Sequence, residues 1–120
     1  MEKIQCDEER IELHFQGESF SFVSSKIVYV ESNEHKLTFH ILDNAGELHE
    51  YYVYSQLNHV QKELAHLDFI RIHQSYLVNK KYIVNVYRYK AELINGILLS
   101  ISKKYYKEVR GYYIQRLGEL

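Results

Sequence analysis

The sequence predicts a mainly β, β-rich α+β domain built from antiparallel sheets, and three observations carry that expectation. Short runs of period-two alternation dominate the first half of the 120-residue chain. Two later segments switch to helical spacing. The resulting order of strands, one short helix, strands and one closing helix departs from the alternating βαβ pattern of a parallel sheet. The chain has no proline, no Ser/Gly linker and no internal repeat. The expectation is therefore a single domain over residues 1–120, a length suited to one core.

The elements come in chain order. Ile11, Leu13 and Phe15 alternate with Arg10, Glu12 and His14, and Phe20 and Phe22 alternate with Ser19 and Ser21. Leu37, Phe39 and Ile41 alternate with Lys36, Thr38 and His40. Such spacing makes half-buried strands. Gln16-Gly17-Glu18 and Asp43-Asn44-Ala45-Gly46 read as turns, and Ile94-Asn95-Gly96-Ile97 is the strongest hairpin signal, because Asn-Gly suits positive φ. Ser55 is placed to cap a short helix whose Leu57, Val60 and Leu64 form one apolar stripe. Ser102 is placed to cap a closing helix over about 102–117, with Tyr106, Val109, Tyr113 and Leu117 as its stripe.

Composition excludes several function classes. No apolar run approaches the roughly 20 residues that span a bilayer, and acids come soon after Met1 where a signal peptide would be apolar, so no membrane insertion and a cytoplasmic location are expected. The single Cys6 has no thiol partner for a disulfide or a structural zinc. Seven histidines invite a metal reading, but His35 and His40 point to opposite strand faces, and His14, His49, His59 and His66 lack carboxylates at ligand spacing, so no metal is expected. Asp68, His73 and Ser75 lie within eight residues and lack a Gly-flanked nucleophile turn, so no catalytic residues are assigned and no enzyme activity is expected. Without a Gly-rich phosphate loop, no nucleotide cofactor is expected either.

Charge is unevenly distributed. Residues 1–50 carry 4 Lys/Arg against 11 Asp/Glu, whereas residues 51–120 carry 11 against 5. Between Arg71 and Arg110 there are 9 basic residues and 2 acidic ones. A basic half in a chain of net charge −1 is the footprint of a surface that meets phosphates. Tyr76, Tyr82, Tyr87 and Tyr89 neighbour Lys80, Lys81, Arg88 and Lys90, which suits stacking on unpaired bases, although tyrosine also serves as strand and core bulk.

One stretch concentrates hydrogen-bonding capacity inside an apolar segment: FIRIHQSYLVNKKYI, residues 69–83. Ser75 and Asn79 suit local bonds to backbone that end a strand and shape a turn. Gln74 offers a bidentate amide of the kind that reads an adenine edge.

This segment resembles the signature of the LytTR DNA-binding domain in Phe69, Arg71, His73, Ser75, Tyr76, Val78, Asn79 and Ile83. The similarity continues in Ile27-Val28-Tyr29-Val30-Glu31-Ser32, in His35-Lys36-Leu37, and in Asn95-Gly96 followed by Leu98-Leu99-Ser100-Ile101-Ser102-Lys103, covering roughly residues 10–108. The resemblance implies an elongated fold of antiparallel strands in small packed sheets with short helices, reading duplex DNA through three loops. By position, His35 with Lys36 beside it belongs to the first loop, Gln74 to the second, and Ser102-Lys103 to the third. Members often have Arg at the third, so Lys103 or Lys104 is expected to meet phosphate instead. Arg71, His73, Ser75 and Asn79 are expected to hold the second loop's shape, with Gln74, Lys80 and Lys81 facing nucleic acid.

The implied function is sequence-specific binding of double-stranded DNA by a bacterial transcriptional regulator, or by the output domain of one. Family members usually carry a receiver domain before this one, and Met1 with the acidic Asp7-Glu8-Glu9 lead-in favours a stand-alone regulator. A local basic excess beside an acidic half predicts weak binding by a monomer, hence paired direct-repeat sites and a possible homodimer on DNA. The alternative is a non-enzymatic interaction module that docks a regulatory protein partner on its basic face.

Overall fold

The computed structural model describes residues 10–15 and 17–118; Cys6, the lead-in Asp7-Glu8-Glu9 and Gln16 lie outside them. The alternating runs resolve into antiparallel strands. β1 (Arg10–Phe15) and β2 (Glu18–Val23) form a hairpin in register from Arg10↔Val23 to Phe15↔Glu18. β3 (Ile27–Asn33), β4 (Lys36–Leu42), β5 (Leu48–Tyr54), β6 (Phe69–His73) and β7 (Tyr76–Asn79) form one sheet in the order β5-β4-β3-β7-β6. β8 (Ile83–Tyr87), β9 (Lys90–Leu93) and β10 (Leu98–Ser100) form a second sheet in the order β10-β9-β8. Among the described residues, two α-helices complete the fold: α1 (Leu57–Glu63) and α2 (Lys103–Gly118). The molecule is a slab of 42 × 40 × 26 Å.

The five-stranded sheet lies between two cores. One face gathers Ile27, Val30, Leu37, Phe39, Val53 and Leu77 with Ile11 and Leu13 of the hairpin and Leu57, Val60 and Leu64 of the α1 segment. There the Phe22 ring stacks on Phe39 at 4.7 Å. The other face gathers Val28, Tyr29, Ile70, Ile72 and Val78 with Ile83, Ala91, Leu93 and Leu99 of the small sheet and Val109 of α2. Central strands covered on both sides must be apolar at successive positions, which is why Ile27-Val28-Tyr29-Val30 shows no alternation. A bulge between Ile27 and Tyr29 in the β3–β4 pairing puts Val28 and Tyr29 on the same face and shifts the alternation of the rest of β3 by one residue. Burial of Tyr29 and the nearby Glu31 carboxylate push its phenol up to about 12, so it stays neutral at physiological pH.

Two local expectations need correction. Gln56, not Ser55, precedes α1, and no side chain caps it. Ser55 follows β5 directly, and its amide donates to the His35 carbonyl at 2.9 Å. On α2, Val109 is fully buried and Tyr106 and Tyr113 pack beside it, but Leu117 is 47% exposed. The packed face extends instead through Tyr105 and Tyr112 to Arg116, one position before Leu117. Arg116 closes it by donating to the carbonyls of Lys80 at 3.2 Å and Ile83 at 2.6 Å.

The Asn95-Gly96 turn has φ of 62° and 74°, the left-handed pair that a tight hairpin requires, and it joins β9 to β10 with Leu98 opposite Glu92. No helix among the described residues is long and apolar enough to cross a membrane.

Two variants test this packing. Val109→Asp buries an unpaired charge between α2 and the sheets and is expected to cost several kcal/mol, about 3 or more, in urea unfolding; parental stability would mean that α2 is not docked. Asn79 is buried, donates its amide to the Ile27 carbonyl at 3.0 Å and accepts from the Lys81 amide at 3.2 Å. Asn79→Ala strands that carbonyl, and a loss of about 1–3 kcal/mol is expected from the same measurement.

Candidate nucleic-acid interface

Antiparallel pairing of β3 with both β4 and β7 carries the turns after β3 and β6 to the same end of the large sheet. The first turn is Glu34-His35, between the paired Asn33 and Lys36, with Glu34 at φ 61°. The second is Gln74-Ser75, between His73 and Tyr76. The Ser32 amide donates to the Ser75 carbonyl at 2.9 Å, which ties the two turns together. The bond from Ser55 to His35 adds the start of α1 to the same end.

Arg71 explains much of the polar content of β6. Its Nε donates to the His73 carbonyl at 2.7 Å and its Nη2 to the Gln74 carbonyl at 2.5 Å. Its Nη1 reaches Asn58 Oδ1 at 2.8 Å and Gln61 Oε1 at 2.7 Å on α1. A planar guanidinium has fixed donor directions, so these four bonds set the turn against α1. Partial burial lowers the Arg71 pKa from its usual value without removing its charge at neutral pH. His73 Nδ1 accepts from the Ser75 amide at 3.0 Å, and its ring lies 5.1 Å from that of Tyr76. With its carbonyl fixed, the Gln74 side chain projects into solvent.

The third element arrives from the small sheet. The Ser102 amide donates to the Ile72 carbonyl at 3.0 Å, which seats the start of α2 beside the end of β6. Lys103 and Lys104 in the first turn of α2 are exposed, and Lys104 Nζ lies 5.3 Å from the Tyr105 ring. His35, Gln74 and Ser75 line one open concavity of about 390 Å³ together with Ser32, Gln56 and Asn58. Lys36 is half-buried beside it, with Nζ 4.5 Å over the Tyr52 ring. Amide, imidazole and hydroxyl groups of this kind can exchange hydrogen bonds with base edges, and the flanking cations can neutralise phosphates.

Lys80 and Lys81 are not brought to this end. They come after β7 at its far end, on the order of 15 Å from Gln74 by strand rise. Lys80 Nζ rests 4.8 Å over the Tyr112 ring, and its carbonyl accepts from Arg116. Asn79 is likewise at that far end, where it braces β3 and β7 rather than the Gln74 turn. Asp68 sits before β6, at the end of that strand opposite His73 and Ser75, so these three form no triad.

Among the described residues, ligand atoms of Asp43, Glu47 and His49 lie within 4.8 Å of one another at the opposite, β4–β5 end of the sheet. Spacing along a strand hid this group, because the turn folds Asp43 back onto His49. Asp43 Oδ1 accepts from the amides of Glu47 at 2.8 Å and Ala45 at 2.9 Å, and Oδ2 meets His49 at 2.6 Å. These contacts hold the Asp43 carboxyl below its ordinary range, led by the Glu47 amide, and shape the turn.

Sequence reasoning misses Asn58 and Gln61, the anchors of Arg71. Both are exposed polar residues on a short helix, one turn apart, and without knowledge of where β6 lies nothing distinguishes them from a solvated face. It names Tyr89 as a neighbour of Arg88 and Lys90 but misses its backbone, which holds φ 61° in the turn between β8 and β9. That conformation costs a bulky side chain on the order of 1–2 kcal/mol, and only the brevity of the link between two alternating runs hints at it.

The comparisons with known proteins agree with this architecture. The LytTr DNA-binding domain family matches residues 17–113. The chain is 30% identical over 100 residues to a sensory transduction protein, LytT, of Bacillus subtilis, covering 78% of the chain and 39% of the relative. It is 34% identical over 67 residues to a transcriptional regulatory protein, LytR, of Staphylococcus aureus, covering 52% of the chain and 27% of the relative. The chain thus spans well under half the length of these relatives. A solved LytTr DNA-binding domain of a response regulator from Bacillus cereus superposes with a TM-score of 0.57 at 22% identity, covering 91% of the chain and 96% of that domain, so the fold is shared. On the match over residues 17–113, the chain belongs to the LytTr DNA-binding domain family.

Proposed function

We propose that the chain binds double-stranded DNA sequence-specifically through the turns at one end of its large sheet, as a bacterial transcriptional regulator or its output domain acting in the cytoplasm. The observation that carries this is the convergence of three chain segments: His35 and Gln74 on one concavity, with Ser102 bonded to Ile72 alongside. A tight turn is narrow enough to enter the major groove, which is about 12 Å wide and presents a distinct donor and acceptor pattern for each base pair. In this reading Gln74 offers its amide to an adenine edge, and His35 reads a second position. Arg71 and His73 hold the Gln74 turn in shape. Lys103 and Lys104, in a third element without the family's frequent Arg, contact phosphate. Lys36 adds positive charge next to His35. Lys80 and Lys81 fall outside this contact. Monomers of modest affinity use paired direct-repeat sites, where two copies assemble side by side on the duplex.

Selection of preferred fragments from a genomic pool, followed by gel-shift titration at matched salt, tests the reading; equal affinity for the selected and a scrambled duplex would overturn it. Two variants separate the roles. Gln74→Ala is expected to cost about 1–3 kcal/mol on the selected site and little on scrambled DNA. Lys103→Ala with Lys104→Ala is expected to weaken all duplexes alike and to flatten the salt dependence by roughly one to two units, leaving the preference among sequences in place. The reverse pattern would refute the assignment.

A further inference from the structure

The turn between β8 and β9 has no part in the three contacts above, yet it is built onto the same end of the molecule. Tyr87 pairs with Lys90, so the link is only Arg88 and Tyr89. The Tyr89 carbonyl accepts from the Ile101 amide at 2.9 Å, and the next residue, Ser102, donates to the Ile72 carbonyl at 3.0 Å. The Tyr89 ring lies 4.5 Å from that of Tyr106 on α2. The turn is therefore fastened to the β10–α2 junction by one backbone bond and one ring contact, and that junction is fastened to the end of β6. Tyr89 is held in a left-handed conformation (φ 61°) that glycine or asparagine would accept readily. A tyrosine in that conformation points to a use for its ring, and the ring carries the neighbouring cation: Arg88 Cζ lies 5.7 Å from its centroid. Arg88 and Lys90 are exposed, and neither makes an ion pair among the described residues.

We infer that Arg88, laid across Tyr89, is a fourth contact to the duplex, directed at a backbone phosphate beside the base-reading turns and assisted by Lys90. The inference rests on the DNA-binding reading above. Charge decides the occupant: two unpaired cations beside Lys103 and Lys104 fit a polyanion. An arginine held against an aromatic face loses little further freedom when it pairs with phosphate oxygens.

The test uses the full chain, titrated against the selected duplex and a scrambled one between about 50 and 200 mM salt, with thermal melting to establish that each variant is folded. Arg88→Ala is expected to weaken both duplexes by the same factor, and its deficit relative to the parent narrows about threefold across that salt range, the change expected for one phosphate contact. Arg88→Lys keeps the parental salt slope. Tyr89→Gly accepts the left-handed backbone but releases Arg88, and it also weakens both duplexes. Parental affinity and salt slope in Arg88→Ala and in the charge reversal Arg88→Glu would overturn the inference while leaving the parent's sequence preference intact. A parent with no preference for the selected duplex would instead overturn the underlying reading. A change of preferred sequence in Arg88→Ala would overturn the phosphate role, because it would make Arg88 a base reader.

Discussion

Pairing of β3 with β7 is the constraint on which the rest of the molecule depends. Tyr29, Val30 and Glu31 sit opposite Val78, Leu77 and Tyr76, residues about two fifths of the chain apart. Without that ladder the β3–β4–β5 meander and the β6–β7 hairpin would be separate pieces, each with one face unprotected. With it, the five strands form one sheet whose two faces each gather a core. The ladder is secured at both ends by bonds outside the regular register: Asn79 to the Ile27 carbonyl at one end, and Ser32 to Ser75 at the other. Closing so long a loop is entropically unfavourable, so contacts of this separation are expected to form late and to decide whether the chain reaches its native state.

The same pairing gives the polar residues of the 69–83 segment their meaning. Apolar positions in β6 and β7 serve the two cores, and the polar ones serve the ends. At one end Arg71 and His73 bond to the turn backbone, leaving Gln74 uncommitted. At the other, Asn79 shapes the short helical turn over Lys80–Tyr82 and bonds across to β3. Both sets satisfy backbone groups that would otherwise be stranded where strands stop.

Local rules made much of this legible. Alternation located β1, β2 and β4, Asn-Gly located the β9–β10 turn, and helical spacing found Leu57, Val60, Leu64 and Val109. Less legible was anything that depends on how separate elements meet. Ser55 has the chemistry of a cap, but its amide is committed to His35 across a turn. Leu117 has the right spacing for a buried stripe, but α2 is rotated so that Arg116 points at the sheet. Lys80 and Lys81 adjoin the Gln74 segment in sequence, yet a four-residue strand carries them to the other end. Asp43 and His49 are six residues apart and touch only because a turn intervenes. In each case residue chemistry was readable and direction in space was not.

The Arg71 fork has a consequence for how this domain can diverge. One side chain couples the Gln74 turn to two positions on α1, whereas the Glu34-His35 turn is tied to its neighbours by backbone bonds and by the Ser32 hydroxyl on the Glu34 carbonyl, none of which uses the side chain of residue 35. Backbone bonds are indifferent to side-chain identity, so residue 35 is free to drift without disturbing its scaffold. A lineage that altered the geometry of the second turn would need matched changes at 58, 61 and 71. Descendants of this domain are thus expected to acquire new preferences by single steps at the first turn and by concerted sets at the second.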